Sequence, residues 1–414
     1  MKFFFPDSQD LVDPSFDFIE ETRSPTRVRQ RDDLYAHEVF GKPPYDGMLV
    51  SKAIVDGTAG AAGRYTLGQR RRFVFDGVRE FLRLHKWPKI KIMGDNGAFT
   101  YVNEEEPPVS VEEVISFYEE CQFDYGFSVD HMILHYDEDL DIPRTRKEVP
   151  EDWARRQKIT FELGRAFFKE CKKQAVGFKP IGVAQGWSPK SYARAVRTMQ
   201  KIGYDYIALG GMVPLKTEEV IRCLEAIQEI RDKKTRLHLL GVSRIERVKQ
   251  FESLGIYSFD STSPLRQAFK DHLDNYYGKN KNYAAIRVPQ TDGNQSLRRR
   301  IQAGEVNQEH ARRLEEACMN ALVQFDNRRG RRKDVVSLLG EYQEVYGSRR
   351  DYTEEYDEVL AEKPWKDCSC AICKSLGIHV MIFRGAERNR RRGFHNVFTT
   401  YQNLKRRRRN LRKA

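Results

Sequence analysis

Three cysteines and one histidine near the C-terminus have the types and spacing of a metal site. These residues are Cys368, Cys370, Cys373 and His395. A CxCxxC run with a downstream histidine offers three thiolates and one imidazole, the donor set of a structural, tetrahedral Zn²⁺. His379 is nearer in sequence, but it lies in an apolar run that predicts a packed core residue. We therefore predict a structural zinc ion, with a reduced metal-free cluster or a labile disulfide as the alternatives.

Four protein ligands leave no open coordination position on the metal, so the reactive groups must lie elsewhere. Carboxylates, an amide and a glycine pair lie within or directly after several apolar runs. Asp130 lies within a run, and the residues that follow runs are Asp95, Gln185, Gly210, Gly211 and Asp260. Two carboxylates across a pocket can carry out glycosidic chemistry, in which one attacks the anomeric carbon and the other handles the leaving-group proton. A third carboxylate, a glutamine and backbone amides can hydrogen-bond the edge of a purine. Each position has a structural alternative, since Asp95 could form an Asx-turn and Asp260 could cap a helix.

The apolar runs before these residues alternate with amphipathic helical segments, which is the pattern of βα units and a parallel sheet. We predict eight strands, at residues 2–5, 48–55, 90–93, 127–133, 180–184, 206–209, 237–241 and 257–259. This pattern predicts an α/β fold, a (β/α)₈ TIM barrel, whose active site forms from loops at the C-terminal ends of the strands. The polar residues should therefore converge on one rim.

The chain of 414 residues is long enough for a barrel of roughly 250 residues and an appended module. We predict a (β/α)₈ barrel at residues 1–275, a helical, Arg-rich insertion at 276–360, and a zinc-binding subdomain with a basic tail at 361–414. No apolar run reaches the ~18 residues that a membrane helix needs, and the opening residues turn acidic too soon for a secretory signal. We expect a cytoplasmic protein without a membrane partner.

The formal net charge is +12, and most of it comes from one end of the chain. Residues 381–414 contain twelve Lys or Arg and one acid, Glu387, a balance of +11. Such a cluster releases counterions from a phosphate backbone and gives affinity without sequence preference. The residues predicted to contact nucleic acid are Arg390, Arg391, Arg392, Lys405, Arg406, Arg407, Arg408 and Arg409. The alternative is a disordered basic tail or a localisation signal.

Four rim segments resemble motifs of the queuine and archaeosine tRNA-guanine transglycosylases. The segments and their counterparts are 94–99 with DSGGFQ, 183–186 with VQG, 208–212 with GGL, and 259–266 with FDCVLPTR. The family also combines a (β/α)₈ barrel with a CxCxxC zinc subdomain. The resemblance implies that Asp260 is the nucleophile and Asp95 the general acid and base. It also implies that the purine is bound by Asp130, Gln185, Gly210, Gly211 and Met212.

The departures from these motifs indicate which branch of the family the chain resembles. Asn96, Ala98 and Thr100 stand where the family has Ser, Gly and Gln. The glutamate that follows the GGL motif is absent, which favours an uncharged, preQ0-like base over an amine-bearing one. The chain looks most like the DNA-directed branch, the DpdA enzymes.

This resemblance implies a guanine transglycosylase that exchanges guanine in DNA for a 7-deazaguanine through a covalent intermediate on Asp260. The exchange needs no redox cofactor, and a helper protein could open or sense the duplex. Two alternatives remain at this point. One is a transglycosylase acting on tRNA, and the other is a catalytically silent nucleic-acid-binding subunit.

Overall fold

The computed structural model describes residues 1–58, 61–145, 147–270 and 272–411. Eight parallel strands pair in sequence order, and the last pairs with the first to close a barrel. The barrel strands are β1 (Lys2–Pro6), β2 (Gly47–Ser51), β3 (Lys91–Asp95), β4 (Tyr125–Phe127), β5 (Lys179–Ala184), β6 (Tyr206–Leu209), β7 (Arg236–Leu239) and β8 (Ile256–Asp260). The predicted (β/α)₈ barrel is confirmed.

Helices follow or separate the strands and also build the segment after the barrel. The α-helices span Ala36–Val39, Lys52–Asp56, Leu67–Asp76, Val78–Phe81, Val111–Glu120, Glu151–Gln174, Pro189–Ile202, Thr217–Ile230, Val248–Ser253, Ser263–Lys270, Gln295–Gln302, Gln308–Asp326, Arg332–Tyr346, Thr353–Glu362, Pro364–Asp367, Ala371–Leu376 and Gly385–Leu411. Short 3₁₀ turns span Ala98–Tyr101, Glu138–Asp141, Pro143–Thr145, Ile245–Arg247 and Gly377–Met381. Two-residue strands pair Gly57–Thr58 with Ala61–Ala62, Tyr276–Tyr277 with Asn282–Tyr283, and Ile286–Arg287 with Ile382–Phe383. Among the described residues, no helix combines the length and apolar character needed to cross a bilayer.

The helix Pro189–Ile202 illustrates how local sequence sets these elements. The Ser188 hydroxyl accepts a hydrogen bond from the Ser191 amide, and the proline occupies the first helical turn, where its missing N–H costs nothing. The helix ends at Gly203, whose φ of 125° suits glycine. Tyr192, Val196 and Met199 lie on its buried face at helical spacing.

Apolar side chains fill the inside of the barrel. The buried cluster comprises Phe4, Leu49, Met93, Phe127, Ile181, Val183, Tyr206 and Ala208. Strand residues alternate between the two faces of the sheet, and these residues share the inward face. The polar groups lie beyond them, at the ends of the strands. The interior is therefore a packed core that supports a polar rim.

Two strands end at least four residues earlier than the sequence pattern predicts, and β7 ends two residues earlier, at Leu239. β2 ends at Ser51 because the next residues form the helix Lys52–Asp56. β4 ends at Phe127, six residues before the predicted end, because the backbone beyond it bonds to side chains. The amide of His131 donates to Thr160 Oγ1 at 3.0 Å, and that of Ile133 donates to Gln185 Oε1 at 3.3 Å.

The chain forms two compact units. The first comprises residues 1–9, 45–262 and 404–414 and contains the barrel. The second comprises residues 10–44 and 263–403 and contains the predicted metal ligands together with the Arg-rich helices. The predicted division into three domains at residues 275 and 360 stays a prediction, while these units place 276–360 and 361–403 together.

Candidate active site and metal centre

The predicted rim residues lie at the C-terminal ends of the barrel strands. Asp95 is the last residue of β3 and Asp260 the last of β8, whereas Gln185 and Gly210 directly follow β5 and β6. The sequence pattern predicts Asp130 within a strand, but the residue lies three positions beyond the end of β4. Parallel strands of one barrel end at the same face, so all five residues belong to one rim.

Asp130 and Gln185 form the floor of a buried polar pocket. Gln185 Nε2 donates to Asp130 Oδ2 at 2.7 Å, and Asn96 Nδ2 donates to Oδ1 of the same carboxylate at 3.2 Å. The Tyr101 hydroxyl donates to Asn96 Oδ1 at 2.5 Å and thereby orients the Asn96 amide. The Asp130 side chain is almost fully buried, at 3 % exposure. Asn96, which replaces the serine of the family motif, therefore helps to hold this carboxylate.

The glycine pair after β6 packs directly on this pocket. A Cβ atom on Gly210 would lie 2.1 Å from Gln185 Nε2, and one on Gly211 would lie 2.3 Å from the carbonyl oxygen of Ile133. Gly211 also has a φ of +72°, in the left-handed region that favours glycine. The next residue, Met212, is fully buried. Only glycine lets the backbone approach Gln185 this closely.

The environment of the Asp95 carboxyl group favours its protonated form. Burial and the nearby Asp130 carboxylate raise the pKa of Asp95 to about 7, with a smaller contribution from Asp260. Hydrogen bonds from the Ser51 hydroxyl and the Gly97 amide act in the opposite direction. The Gly97 contact is of the Asx-turn kind, so this alternative for Asp95 coexists with its rim position. At neutral pH the group can both donate and accept a proton.

Burial also raises the pKa of Asp130, to about 6, although the Asn96 and Gln185 amides stabilise its charged form. Asp130 and Asp95 are therefore less acidic than free aspartate.

Asp260 is held through one oxygen by two donors. The backbone amide of Gly241 donates to Asp260 Oδ1 at 2.9 Å, and Nε2 of His238 lies 3.1 Å from the same oxygen. The residue retains 7 % exposure. Both donors lie outside the following helix Ser263–Lys270. They belong to the neighbouring strand β7 and the loop after it, so the carboxylate is anchored to the adjacent strand.

The cysteine and histidine ligands predicted from sequence converge in the second compact unit. Their ligand atoms, from Cys368, Cys370, Cys373 and His395, lie within 4.8 Å of one another. His395 Nδ1 is 3.5, 3.5 and 3.3 Å from the three sulfur atoms in that order. Tetrahedral coordination with Zn–S of about 2.3 Å and Zn–N of about 2.0 Å requires an S···N separation of about 3.5 Å. The cluster therefore has the donors and spacing to bind a metal ion.

The imidazole of His395 is oriented by contacts on its other side. Its Nε2 donates to the carbonyl oxygen of Tyr277 at 2.8 Å, which directs Nδ1 to the thiols. The ring stacks on Tyr276 with centroids 4.0 Å apart, and the Tyr276 hydroxyl lies 3.3 Å from Cys373 Sγ. His379 lies near Phe18 and is not part of this cluster. The sequence preference for His395 over His379 agrees with this arrangement.

Comparison with known proteins assigns the chain to a family. Residues 65–318 match the queuine tRNA-ribosyltransferase family. A protein named DNA-guanine transglycosylase, from Salmonella montevideo, is 47% identical over 408 residues, which are 98% of this chain and 96% of that protein. The chain belongs to the queuine tRNA-ribosyltransferase family.

Relatives that carry the family name match shorter parts of the chain. The queuine tRNA-ribosyltransferase of Pseudomonas aeruginosa strain LESB58 is 29% identical over 143 residues, 33% of this chain and 34% of that protein. The one from Haemophilus ducreyi strain 35000HP is 29% identical over 208 residues, 47% of this chain and 48% of that protein. The resemblance read from the rim motifs is therefore confirmed at the level of the family.

One residue at the rim of this family member, His238, was not predicted from the sequence. It lies in β7 and is fully buried, with its ring 5.4 Å from that of Phe127. A signal was present, since His238 stands between Leu237 and Leu239 in a strand and so occupies the opposite face from both. A polar residue at an inward position close to a strand end is a candidate for the site.

Two of the basic residues predicted to contact nucleic acid are buried in the second unit. Arg392 has no exposed surface and donates to the carbonyl oxygen of Ala268 at 2.7 Å and to Asn389 Oδ1 at 2.6 Å. Arg391 is 7 % exposed and pairs with Glu387 at 2.6 Å. The prediction is wrong for these two guanidinium groups, because a phosphate cannot reach them without opening the fold.

The other predicted basic residues retain exposed surface where the structure describes them. The Arg390 side chain is 25% exposed. In the barrel unit, Lys405 is exposed and Arg406 is half-buried. Arg408 pairs with Glu252 at 3.0 Å, and Arg407 donates to the carbonyl oxygen of Glu246 at 3.3 Å. The side chain of Arg409 lies outside the described part of the chain.

Proposed function

We propose that this protein is a DNA-guanine transglycosylase that exchanges guanine in DNA for a 7-deazaguanine base. The observation that carries the proposal is the 47% identity, over nearly the whole of both chains, to a protein of that name. The two relatives named for tRNA that are described above match at 29% over a third to a half of the chain. The carboxylates and amides of the rim support the same glycosidic chemistry.

In the first half of the proposed reaction, Asp260 attacks C1′ of the target nucleoside. The bond from C1′ to guanine breaks, an ester bond from C1′ to the carboxylate forms, and Asp95 gives its proton to the departing base. A pKa of about 7 leaves Asp95 protonated in a large share of molecules at neutral pH, which suits this role. Guanine then leaves as a neutral molecule.

The second half reverses these steps with a different base. The incoming base loses its proton to Asp95 and attacks C1′, and Asp260 departs as a carboxylate. Two inversions at C1′ give net retention, and the electron balance requires no redox cofactor. The exchange is therefore complete with the two carboxylates and the two bases.

The pocket beside Asp130 is the proposed purine site. Asp130, Gln185 and the Gly211 amide would hold first guanine and then its replacement by features that the two bases share, with Gly210 and Met212 shaping the wall. Val213 follows Met212 where the family has a glutamate, so this position offers no carboxylate to bind an amino group on the base. This favours an uncharged, preQ0-like substituent on the incoming base.

The target nucleotide must leave the duplex to reach this rim, because its glycosidic bond is inaccessible while stacked. We propose that Arg390 and the residues 405–409 contact the phosphate backbone, with a helper protein opening or sensing the duplex. We infer that Zn²⁺ occupies the three-cysteine, one-histidine cluster and has a structural role, since all four positions are protein ligands. A cytoplasmic location remains part of the proposal.

An isotope-exchange assay tests the proposed function. The purified protein is incubated with labelled guanine or labelled preQ0, together with duplex DNA or tRNA. Incorporation of label into DNA is the expected result. Incorporation into tRNA alone would assign the chain to RNA, and the absence of label from both polymers in the presence of a cell extract would favour a silent binding subunit.

A further inference from the structure

We propose that His238 is a positioning residue for Asp260 and selects which carboxylate oxygen attacks the sugar. This inference rests on the proposed function, in which Asp260 is the nucleophile. His238 Nε2 lies 3.1 Å from Asp260 Oδ1, and the imidazole ring is fully buried. The family motifs considered above do not include this histidine.

The opposite nitrogen of the ring belongs to a buried hydrogen-bond chain. His238 Nδ1 lies 2.6 Å from Ser258 Oγ, and this hydroxyl is in turn hydrogen-bonded to the Tyr206 hydroxyl. All three side chains have 0% exposure. Burial raises the pKa of the Tyr206 phenol, so it remains protonated and can act as the donor at the end of the chain.

One direction of donation satisfies all of these contacts together. Tyr206 donates to Ser258, the Ser258 hydroxyl donates to His238 Nδ1, and the Nε2–H of His238 donates to Asp260. In the other neutral tautomer, Nε2 would present a lone pair to a carboxylate oxygen, which is repulsive. The buried chain therefore directs the Nε2 proton of His238 towards Asp260.

This arrangement gives the two oxygens of Asp260 different roles. Oδ1 receives both the His238 and the Gly241 donors, which leaves Oδ2 as the oxygen that bonds to C1′. In the ester, Oδ1 is the carbonyl oxygen, and the same two donors stabilise the negative charge that returns when the carboxylate departs. His238 thus acts through Asp260 in both halves of the reaction without touching the base.

Two substitutions separate this role from simple packing. In His238→Gln, the side-chain amide can place its nitrogen near the position of Nε2 and donate to Asp260. In His238→Asn, the shorter amide can reach Ser258 but not Asp260. We expect His238→Asn to lower kcat roughly 10- to 100-fold, the cost of one hydrogen bond to a charged group, while KM for the base stays unchanged. His238→Gln should retain most of the wild-type kcat.

The readouts are kcat and KM for base exchange into duplex DNA, with melting temperature and metal content as checks on folding. Equal kcat for His238→Asn and the wild type would overturn the inference, as would an equal loss in both variants. If His238→Asn does not fold, Ser258→Ala removes the partner that fixes the tautomer, and an unchanged kcat in that variant would overturn the inference instead. Wild-type protein that incorporates no base into DNA or tRNA contradicts the proposed function itself, so the two failures are distinguishable.

Discussion

Gln185 donates a 2.7 Å hydrogen bond from Nε2 to Oδ2 of Asp130, which joins the end of one barrel strand to the loop after another. The carboxylate is therefore oriented before a base arrives. We predict that Asp130→Asn raises KM for the incoming base about 10- to 100-fold, because a charged hydrogen-bond acceptor is replaced by a neutral amide. Steady-state exchange with varied base concentration measures this change. An unchanged KM would remove Asp130 from base recognition.

Asp260→Ala should abolish base exchange, with a fall of at least about 10⁴-fold, since the nucleophile is removed and not merely misplaced. The melting temperature and bound metal should remain close to the wild-type values, because the cluster lies in the other compact unit. Denaturing electrophoresis should detect a covalent protein–DNA adduct in the wild type and none in the variant. Residual exchange near the wild-type rate would discard Asp260 as the nucleophile.

The raised pKa of Asp95 predicts a pH dependence. The free enzyme must hold a proton on Asp95 to expel guanine, so kcat/KM for DNA should be high below pH 7 and fall as pH rises through about 7. Asp95→Asn should have much lower activity at every pH, and its residual activity should lack this alkaline limb. The profile is measured between pH 5.5 and 9 with the melting temperature followed in parallel. A flat profile in the wild type would assign the proton transfer to another group.

Cys373→Ser should remove the metal ion and lower the melting temperature, because removal of a ligand uncouples metal binding from folding of the second unit. Cys318→Ser is the matched control, since Cys318 is buried in the same unit and its thiol donates to the carbonyl oxygen of Leu338. Metal analysis should find about one zinc ion per chain in the control and none in Cys373→Ser. Equal zinc in both would place the ion elsewhere.

Deletion of residues 405–414 should weaken DNA binding and flatten its salt dependence, by a slope of about 0.9 for each phosphate that the shortened chain no longer neutralises. Arg392→Gln is the contrasting variant. It should lower the melting temperature, because Arg392 donates to buried backbone carbonyls, and should leave the salt slope unchanged. Binding is measured at several salt concentrations. A tail deletion with the wild-type slope would give these residues another role.

The sequence by itself determined those functional residues that can be recognised from the order and spacing of residues along the chain. Asp95 and Asp260 were assigned to a rim because each follows an apolar run, and parallel barrel strands all end at one face. The cysteine spacing likewise indicated a metal site, because three thiols within six residues need little help from the rest of the fold to converge.

The tertiary structure alone decided what depends on packing between distant segments. Arg391 and Arg392 look like Arg390 in sequence, but helices and loops from remote parts of the second unit cover them. The early end of β4 and the contact of His238 with Asp260 have the same origin, since each arises from side chains that lie tens of residues away. Residue type and spacing set which groups are available, whereas burial and hydrogen-bond partners are set only when the chain has packed.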